Sequence, residues 1–254
     1  LTEGSFEHNK GVLLKTRFDD AIAEIAAGEN FGCMVLTEAD AGSDLAALRA
    51  KAVEQPDGTW RLTGQKIFIT AGHGQHQLVI AKTENTGNGL KDISLFLVPR
   101  HIEDDEGEII NNVVVERLEE KLGIHASVTC TLAYDDSVAE LIGERGQGFK
   151  LMLMLMNNAR LGVSFEGIGL IENAYRLAKE YAAERKSMGK TIDQHEMIAD
   201  YLEKMDVGLR GLRAMAFDAV RAVELSSRLE VQLGFDTPLD EAERKSLERR
   251  MKKY

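Results

Sequence analysis

Hydroxyl and acidic side chains are concentrated in residues 36–44, which read LTEADAGSD. The segment follows an apolar run, FGCMVL, of the kind that forms a buried strand. A tight loop of this composition presents backbone N–H groups and hydroxyls, which are groups that bind a polar or anionic ligand. The same composition also fits an ordinary connection rich in Asx and Ser turns. From composition alone, both interpretations stay open.

A second segment, residues 60–70, reads WRLTGQKIFIT and ends in an aromatic residue and a threonine. Its alternation of apolar and polar residues predicts a hairpin-like pair of strands, with Thr63-Gly64 as the turn. Taken alone, the segment is only a good β-strand.

These segments lie in a part of the chain with a clear β pattern. From about Asn30 to Ser137, seven apolar or alternating runs are separated by turn residues, which predicts an antiparallel sandwich or barrel. Before it, Arg17 to Ala27 is predicted as a short amphipathic helix.

From Gly148 the apolar period becomes helical. Three helices are predicted, over Phe149 to about Arg185, Thr191 to about Leu229, and Leu239 to the end. The fold class is therefore α+β, an antiparallel β sandwich or barrel followed by an incomplete antiparallel helix bundle. The expected domains are 1–28, 29–145 and 146–254.

Composition restricts the class of protein. The chain has 254 residues, 44% of them hydrophobic, and a net charge of −11, which argues against a general nucleic-acid binder. The longest apolar run, LMLMLM at residues 151–156, is far shorter than a membrane span of about 20 residues. We therefore expect a soluble, cytoplasmic protein. Cys33 and Cys130 lie in apolar runs and are expected to be buried thiols.

Five motifs occur in an order that resembles the acyl-CoA dehydrogenase family. They are TEADAGSD, the GQKIFIT strand, KLGIHAS at 121–127, GQGFK with NNAR at 146–160, and AERKSMGK at 183–190. The pair KLGIHAS and NNARLG is most similar to larger bacterial members with a C-terminal extension. The resemblance implies FAD held between the β domain and the helices, with an acyl-CoA thioester alongside it.

The resemblance also implies a role for individual residues. The backbone from Met34 to Leu36 and the Thr37 hydroxyl would bind the flavin pyrimidine edge, and Thr70 would donate a hydrogen bond near N5. Phe68 would lie against the isoalloxazine, where the family commonly has Trp. The full cofactor set is Met34, Leu36, Thr37, Ser43, Phe68, Thr70, Arg185 and Met188, with Ser43 at the pyrophosphate and Arg185 and Met188 reaching the FAD of a neighbouring subunit.

For the substrate, the resemblance implies contacts from Ser43, Ser127, Asn157 and Arg160. Asn157 and Arg160 are three residues apart on a predicted helix, so they share a face and can grip one ligand. In an acidic protein, Arg160 is the local cation that CoA would need. The alternative is an ordinary helix-surface arginine paired with a carboxylate.

The family reaction is α,β-dehydrogenation, in which a Glu removes the α-proton and the β-hydrogen leaves as hydride to flavin N5. The family places that Glu in a Y-E-G loop, which this chain lacks, or directly before the helix arginine, where Ala159 stands. We therefore name no catalytic residue. Either the chain is an internal piece of a longer protein, which we favour, or its lineage lacks the base. Alone, it is expected to be inactive.

The predicted function is FAD-dependent dehydrogenation of a medium- or long-chain acyl-CoA in fatty-acid β-oxidation. The expected partners are the acyl-CoA substrate, an acceptor such as an electron-transfer flavoprotein, and further copies in a homodimer or homotetramer. An acyl-CoA oxidase and a non-catalytic binding or assembly module are the alternatives. No metal is expected, because His73 and His76 lack an apparent third ligand.

Overall fold

The computed structural model describes residues 4–7, 12–234 and 240–252. The chain divides into two compact units, and each is described here by itself. The barrel unit consists mainly of Leu13–Leu155, and the helical unit contains the residues from Met156 onward.

In the described ranges, the barrel unit contains eleven strands, one complete α-helix and the first residues of a second helix, α2 (Gly148–Glu184). The strands and the complete helix are β1 (Gly4–Glu7), β2 (Val12–Thr16), α1 (Asp19–Ala27), β3 (Gly32–Val35), β4 (Lys51–Glu54), β5 (Trp60–Thr70), β6 (His76–Lys82), β7 (Ile93–Pro99), β8 (His101–Glu103), β9 (Ile109–Asn111), β10 (Val114–Leu118) and β11 (Thr129–Ile142). All seven apolar runs predicted from the sequence are strands, namely β3 to β7, β10 and β11. The predicted helix is present as α1 and ends at Gly28, whose φ of 74° is left-handed.

Five strands form a closed ring. β11 pairs with β5, β5 with β4, β4 with β6, β6 with β7, and β7 pairs back with β11. The ring extends outward through β10 on β11 and β3 on β6. The predicted barrel and the α+β class are confirmed. The sheet is mixed and not purely antiparallel as predicted, because β3 and β4 both run parallel to β6.

The side chains inside the ring form one apolar core. Its fully buried members include Val35, Leu62, Val79, Phe96 and Leu132. Cys33 and Cys130 also lie in this core as free thiols, as predicted. Burial of this size is the main term that stabilises such a unit.

The turn predicted at Thr63-Gly64 is wrong, because β5 continues through both residues from Trp60 to Thr70. A glycine is needed at position 64 because of close packing, not because the chain turns there. A Cβ on Gly64 would lie 2.6 Å from the Cβ of Ala50 on the neighbouring segment. The glycine therefore allows two backbones to approach closely.

The helical unit contains most of α2 (Gly148–Glu184), a short hairpin of β12 (Lys186–Ser187) and β13 (Lys190–Thr191), then α3 (Glu196–Gly234) and α4 (Glu241–Met251). The three predicted helices are present. The second begins at Glu196 instead of Thr191, because Thr191 pairs with Lys186 in the hairpin.

α2 and α3 pack against each other in opposite directions. Phe165 contacts Phe217 with ring centroids 5.3 Å apart, and Glu172 forms an ion pair with Arg213 at 2.7 Å. Ile168, Leu209 and Ala216 form a small buried cluster between them. None of the helices in the described ranges is long and apolar enough to cross a membrane.

Candidate functional site

The loop after β3 is built around a tight turn. The backbone N–H of Glu38 donates to the Ala41 carbonyl, and the N–H of Ala41 donates back to the Glu38 carbonyl, both at 3.1 Å. Asp44 then caps a short 3₁₀ turn by accepting from the N–H of Ala46 at 3.1 Å. The loop therefore has a defined shape, and it leaves Ser43 on the exposed surface.

A buried ion pair lies beneath this loop. Lys66 on β5 is fully buried, and its Nζ lies 2.9 Å from the Oε1 of Glu38 and 2.8 Å from the Leu36 carbonyl. Burial lowers the pKa of Lys66 to about 8, an effect that the neighbouring Glu38 carboxylate partly offsets. Each of these two buried charges is therefore stabilised by the other.

β5 bulges directly after Lys66. Lys66 pairs with Leu132 and Ile69 with Cys130, so β5 carries one more residue than β11 between these pairs. Phe68 takes a left-handed φ of 59° within the bulge. A left-handed backbone is unusual for an aromatic residue. Strained residues of this kind cluster at functional sites, so Phe68 is a candidate site residue.

The bulge reverses which face of β5 is exposed. In a regular strand, Lys66, Phe68 and Thr70 would point to the same side. Here Lys66 is buried, whereas Phe68 is 61% exposed and Thr70 is also exposed. An aromatic face and a hydroxyl are therefore presented together at the end of β5.

The neighbouring segments bring further groups to the same end of the strand. The Ile67 N–H donates to the Thr37 carbonyl at 2.9 Å, which places Thr37 beside the bulge. On the other side, Thr129 pairs with Thr70, and the Ala71 N–H donates to the Val128 carbonyl. Half-buried Ser127 precedes Val128 and so lies at this end of β5. Met34 and Leu36 are half-buried in and after β3.

The hydroxyls of the predicted site residues have no hydrogen-bond partner among the described residues. Within the described part of the chain, the side chains of Thr37, Ser43, Thr70 and Ser127 make no hydrogen bond. The structure thus brings together an outward aromatic ring and several unused hydroxyl groups, a set suited to a flat, polar ligand.

A separate cleft of about 750 Å³ lies at the Trp60 end of β5, and its lining includes Arg17, His76 and Glu140. It contains none of the predicted site residues. Because Trp60 and Thr70 are the two ends of β5, this cleft is distinct from the Phe68 surface.

The predicted substrate residues of the helical unit lie on the exposed surface of α2. Arg160 donates from Nη1 to the Oδ1 of Asn157 at 2.8 Å. No carboxylate among the described residues forms an ion pair with Arg160. The alternative of a surface arginine paired with an acid therefore finds no such partner in the described part of the chain.

Arg185 and Met188 lie at the hairpin that follows α2. Met188 and Gly189 have φ values of 51° and 82°, which form a two-residue turn of the type that joins tight hairpins. Met188 is 92% exposed at its tip. Arg185 is exposed too, and its side chain has no partner in the ranges that the structure covers.

Two other kinds of site receive no support. Burial raises the pKa of Cys33 to about 12, with a further contribution from Cys130, so this thiol is not a nucleophile near neutral pH. Among the described residues, no group of three or more His, Cys, Asp or Glu side chains is placed to hold a metal.

Sequence reasoning assigned no role to Glu38 and Lys66. A signal was available, since Lys66 follows Trp60 and Leu62 at intervals that put it on the buried face of an alternating strand. A lysine on that face requires a buried carboxylate partner. The identity of that partner depends on a contact between residues 28 positions apart, which no local pattern contains.

Comparison with known proteins adds two family matches. Residues 33–137 match the family model "Acyl-CoA dehydrogenase, middle domain", and residues 146–232 match "Acyl-CoA dehydrogenase, C-terminal domain".

Individual proteins agree. The chain is 35% identical to 3-methylmercaptopropionyl-CoA dehydrogenase of Ruegeria pomeroyi, over 76% of this chain and 36% of that protein. Butyryl-CoA dehydrogenase from Megasphaera elsdenii is similar in structure, with a TM-score of 0.72 and 27% identity over 84% of this chain and 57% of the other. A solved structure of the electron transferring flavoprotein of Acidaminococcus fermentans has a TM-score of 0.66 and 28% identity, over 85% of this chain and 58% of the other. The chain spans 29–51% of the length of the curated relatives that it matches.

Proposed function

The chain belongs to the acyl-CoA dehydrogenase family, and on that premise we propose that it forms the flavin- and thioester-binding part of an FAD-dependent acyl-CoA dehydrogenase. The observation that carries the proposal is the end of β5. There Phe68 faces outward at a strained bulge, beside hydroxyls that have no partner within the described chain.

The chemistry of these groups fits FAD. An isoalloxazine ring has a flat apolar face and an edge of hydrogen-bonding atoms, and it gains negative charge when reduced. Phe68 offers a stacking surface, although it lacks the N–H that a Trp would provide. The hydroxyls of Thr37 and Thr70 are fixed on adjacent segments, so they can donate to the ligand without reorganising. Bound FAD would accept the hydride lost from the substrate β-carbon.

The remaining cofactor contacts are proposed on the same basis. Ser43 lies on a loop of defined shape and would reach the pyrophosphate, while the backbone of Met34 and Leu36 would border the flavin edge. Arg185 and Met188 are exposed at a hairpin and would contact the FAD of a second subunit, in a homodimer or homotetramer.

For the thioester, we propose Arg160 and Asn157 as the groups that hold the CoA. Their mutual hydrogen bond orients the guanidinium, and the absence of an acidic partner within the described chain leaves its charge for an anion. Ser127 would contact the pantetheine, and Ser43 would serve substrate and cofactor together. We assign no catalytic residue, since the position before Arg160 is Ala159.

The substrate proposed from the sequence is a medium- or long-chain acyl-CoA in β-oxidation, and the acceptor is an electron-transfer flavoprotein. The proposed domains remain 1–28, 29–145 and 146–254. The boundary between the last two domains is supported by the family matches, because the first match ends at residue 137 and the second begins at residue 146.

The test is a visible absorption spectrum of the purified full-length protein, followed by anaerobic titration with acyl-CoAs of increasing chain length. A flavin band that bleaches with a medium or long chain supports the proposal, and slow reoxidation on admitting oxygen separates a dehydrogenase from an oxidase. Absence of flavin, or a flavin that acyl-CoA leaves unchanged, would contradict it.

Site residues are tested by substitution in the same protein. Thr70→Ala and Ser43→Ala are expected to weaken flavin retention, because each removes a hydroxyl donor. Ser164→Ala on α2 is the control, since that hydroxyl donates to the Arg160 carbonyl within its own helix. Equal flavin retention in all three variants would show that the residues are wrongly assigned.

A further inference from the structure

The ion pair of Glu38 and Lys66 joins three backbone segments at one buried point. Glu38 accepts hydrogen bonds from the N–H groups of Arg49 at 2.6 Å and Ala50 at 3.0 Å, in addition to its contact with Lys66. Lys66 also donates to the Leu36 carbonyl at 2.8 Å. Residues 36–38, 49–50 and 66 are therefore held together by two side chains.

Glu38 closes the loop that carries Ser43. The loop leaves β3 at Leu36 and returns to β4 at Lys51, and the Glu38 carboxylate near its start binds the backbone near its end. A loop whose ends are fixed in this way has a defined base, so that its tip can present a side chain in one position.

Lys66 fixes the closed loop to β5. It lies between the two halves of the proposed flavin surface, which are the loop with Thr37 and the end of β5 with Phe68 and Thr70. On one side, its hydrogen-bond acceptor Leu36 directly precedes Thr37. On the other side, Lys66 directly precedes the bulge that turns Phe68 and Thr70 outward. The ammonium group thus connects the backbone that carries Thr37 with the backbone that carries Phe68.

We propose that Lys66 and Glu38 are positioning residues for flavin binding, which set the spacing between the Thr37–Ser43 loop and the Phe68–Thr70 end of β5. This inference rests on the proposed function, because it concerns the same surface. Neither residue touches the ligand in this proposal. Both act through the backbone that they hold.

An ion pair of this kind contributes little to stability overall. Two buried charges lose their hydration, and apolar residues of similar size are often equally stable in their place. Removal of one partner, in contrast, leaves an uncompensated buried charge and destabilises the fold strongly. Stability and flavin affinity can therefore be separated by replacing one partner or both.

The experiment compares three variants of the full-length protein, using FAD itself as the probe. Lys66→Met leaves Glu38 without its cation. The double variant Glu38→Gln/Lys66→Met removes both charges and nearly keeps the side-chain volumes. The amide oxygen retains one of the two acceptors that bind the Arg49 and Ala50 N–H groups. Ser137→Ala is the matched control, because Ser137 on β11 donates a buried hydrogen bond to the Asn112 carbonyl and pairs with Leu62, not with Lys66. Melting temperature and the FAD dissociation constant are measured for each.

We expect Lys66→Met to lower the melting temperature and to weaken FAD binding about tenfold or more. The double variant is expected to recover part of the melting temperature, because no unpaired charge stays buried, but to bind FAD as weakly as the single variant, since the Leu36 carbonyl still lacks its donor. Ser137→Ala is expected to lose stability while its FAD dissociation constant stays within about twofold of the wild type.

The outcomes separate the two proposals. A wild-type protein that binds no FAD overturns the proposed function and the positioning role with it. A wild type that binds FAD, with a double variant that binds it equally well, overturns the positioning role alone. The same holds if Ser137→Ala loses FAD affinity as much as Lys66→Met, because flavin binding would then follow stability and not geometry. If Lys66→Met does not fold, the FAD dissociation constant of the double variant alone decides whether the positioning role holds.

Discussion

The barrel unit and the helical unit differ in how many of their apolar side chains they bury. The barrel surrounds a continuous core in which Leu62, Val79 and Phe96 are inaccessible to solvent. In the helical unit, the contact between α2 and α3 buries a small cluster around Leu209, whereas other large apolar residues of both helices stay exposed. These exposed residues include Val163, Leu170, Leu177, Tyr181, Met197, Met215 and Phe217.

This difference bears on how the proposed binding groups are positioned. Thr37, Phe68 and Thr70 are held by hydrogen bonds, strand pairing and a buried ion pair, all within the barrel unit. Arg160 and Asn157 are held by one hydrogen bond on an exposed helix face. The flavin half of the proposed site is thus preorganised by its own unit. The exposed apolar faces of the helices are of the kind that another protein surface covers.

The largest expected effect is the loss of a core aromatic residue from the barrel. Phe96 is fully buried and lies 5.3 Å from the Trp60 ring, so Phe96→Ala is expected to lower the free energy of unfolding by about 3–5 kcal/mol. Urea denaturation followed by fluorescence measures it, because Trp60 is the single tryptophan of the chain and lies in the same core.

The matched substitution in the helical unit is Phe217→Ala. Phe217 is 65% exposed and makes an edge contact with Phe165, so the expected loss is about 1 kcal/mol, measured by circular dichroism. Equal losses in the two variants would contradict the contrast between the units.

A smaller effect is expected from adding one methyl group to a glycine. In Gly64→Ala the new Cβ would lie 2.6 Å from the Ala50 Cβ, which forces two segments of the barrel apart and is expected to cost about 2–3 kcal/mol. Gly162→Ala in α2 is the control, because nothing lies within 4 Å of its added Cβ. That change is expected to stabilise the helix by up to about 1 kcal/mol. Destabilisation by Gly162→Ala comparable to that of Gly64→Ala would show that α2 is as tightly enclosed as β5.

The smallest effect concerns the attachment of α1 to the barrel. Glu24 on α1 lies 2.7 Å from the Nε2 of His76 on β6, and hydrogen bonds from His76 and Asn30 lower the pKa of Glu24. A carboxylate whose pKa is lower in the folded state contributes stability above its unfolded pKa and loses it as the pH falls through the folded value. We therefore expect Glu24→Gln to melt at a lower temperature than the wild type at pH 7. The difference is expected to shrink as the pH falls below 4.5, the ordinary pKa of a glutamate, and to disappear only below the lowered pKa of folded Glu24.

Melting temperatures measured from pH 7 to pH 3 check this expectation. Glu29→Gln serves as the control at the end of the same helix, because the side chain of Glu29 is exposed and has no partner among the residues described. If the difference persists unchanged at pH 3, the substitution of Glu24 acts through packing and not through charge.

The elements of the fold were largely predictable, because each has its own apolar period. The seven predicted strands and the helices fall where alternation and helical spacing place them. What could not be predicted depends on partners distant in the sequence. Gly64 looks like a turn residue until Ala50 is known to pack against it, and the sequence IFIT gives no sign that Phe68 adopts a left-handed backbone.

The candidate site shows the same division. The residue types that suit a flavin are visible in the motifs, since hydroxyl and aromatic side chains recur there. The ion pair that holds them was not predicted, because Glu38 and Lys66 meet only after β3 and β5 are aligned. The lack of an acidic partner for Arg160 among the described residues could also be learned only from the structure.

The long strand β11 has a consequence for how the barrel forms. It is the last strand of the barrel unit in the sequence, yet it pairs with β5, β7 and β10. Its partners in β5 are about seventy residues earlier, so closing the ring requires contacts of high sequence separation, which slow folding. During synthesis, β5 therefore remains without its long neighbour until residue 142 has left the ribosome.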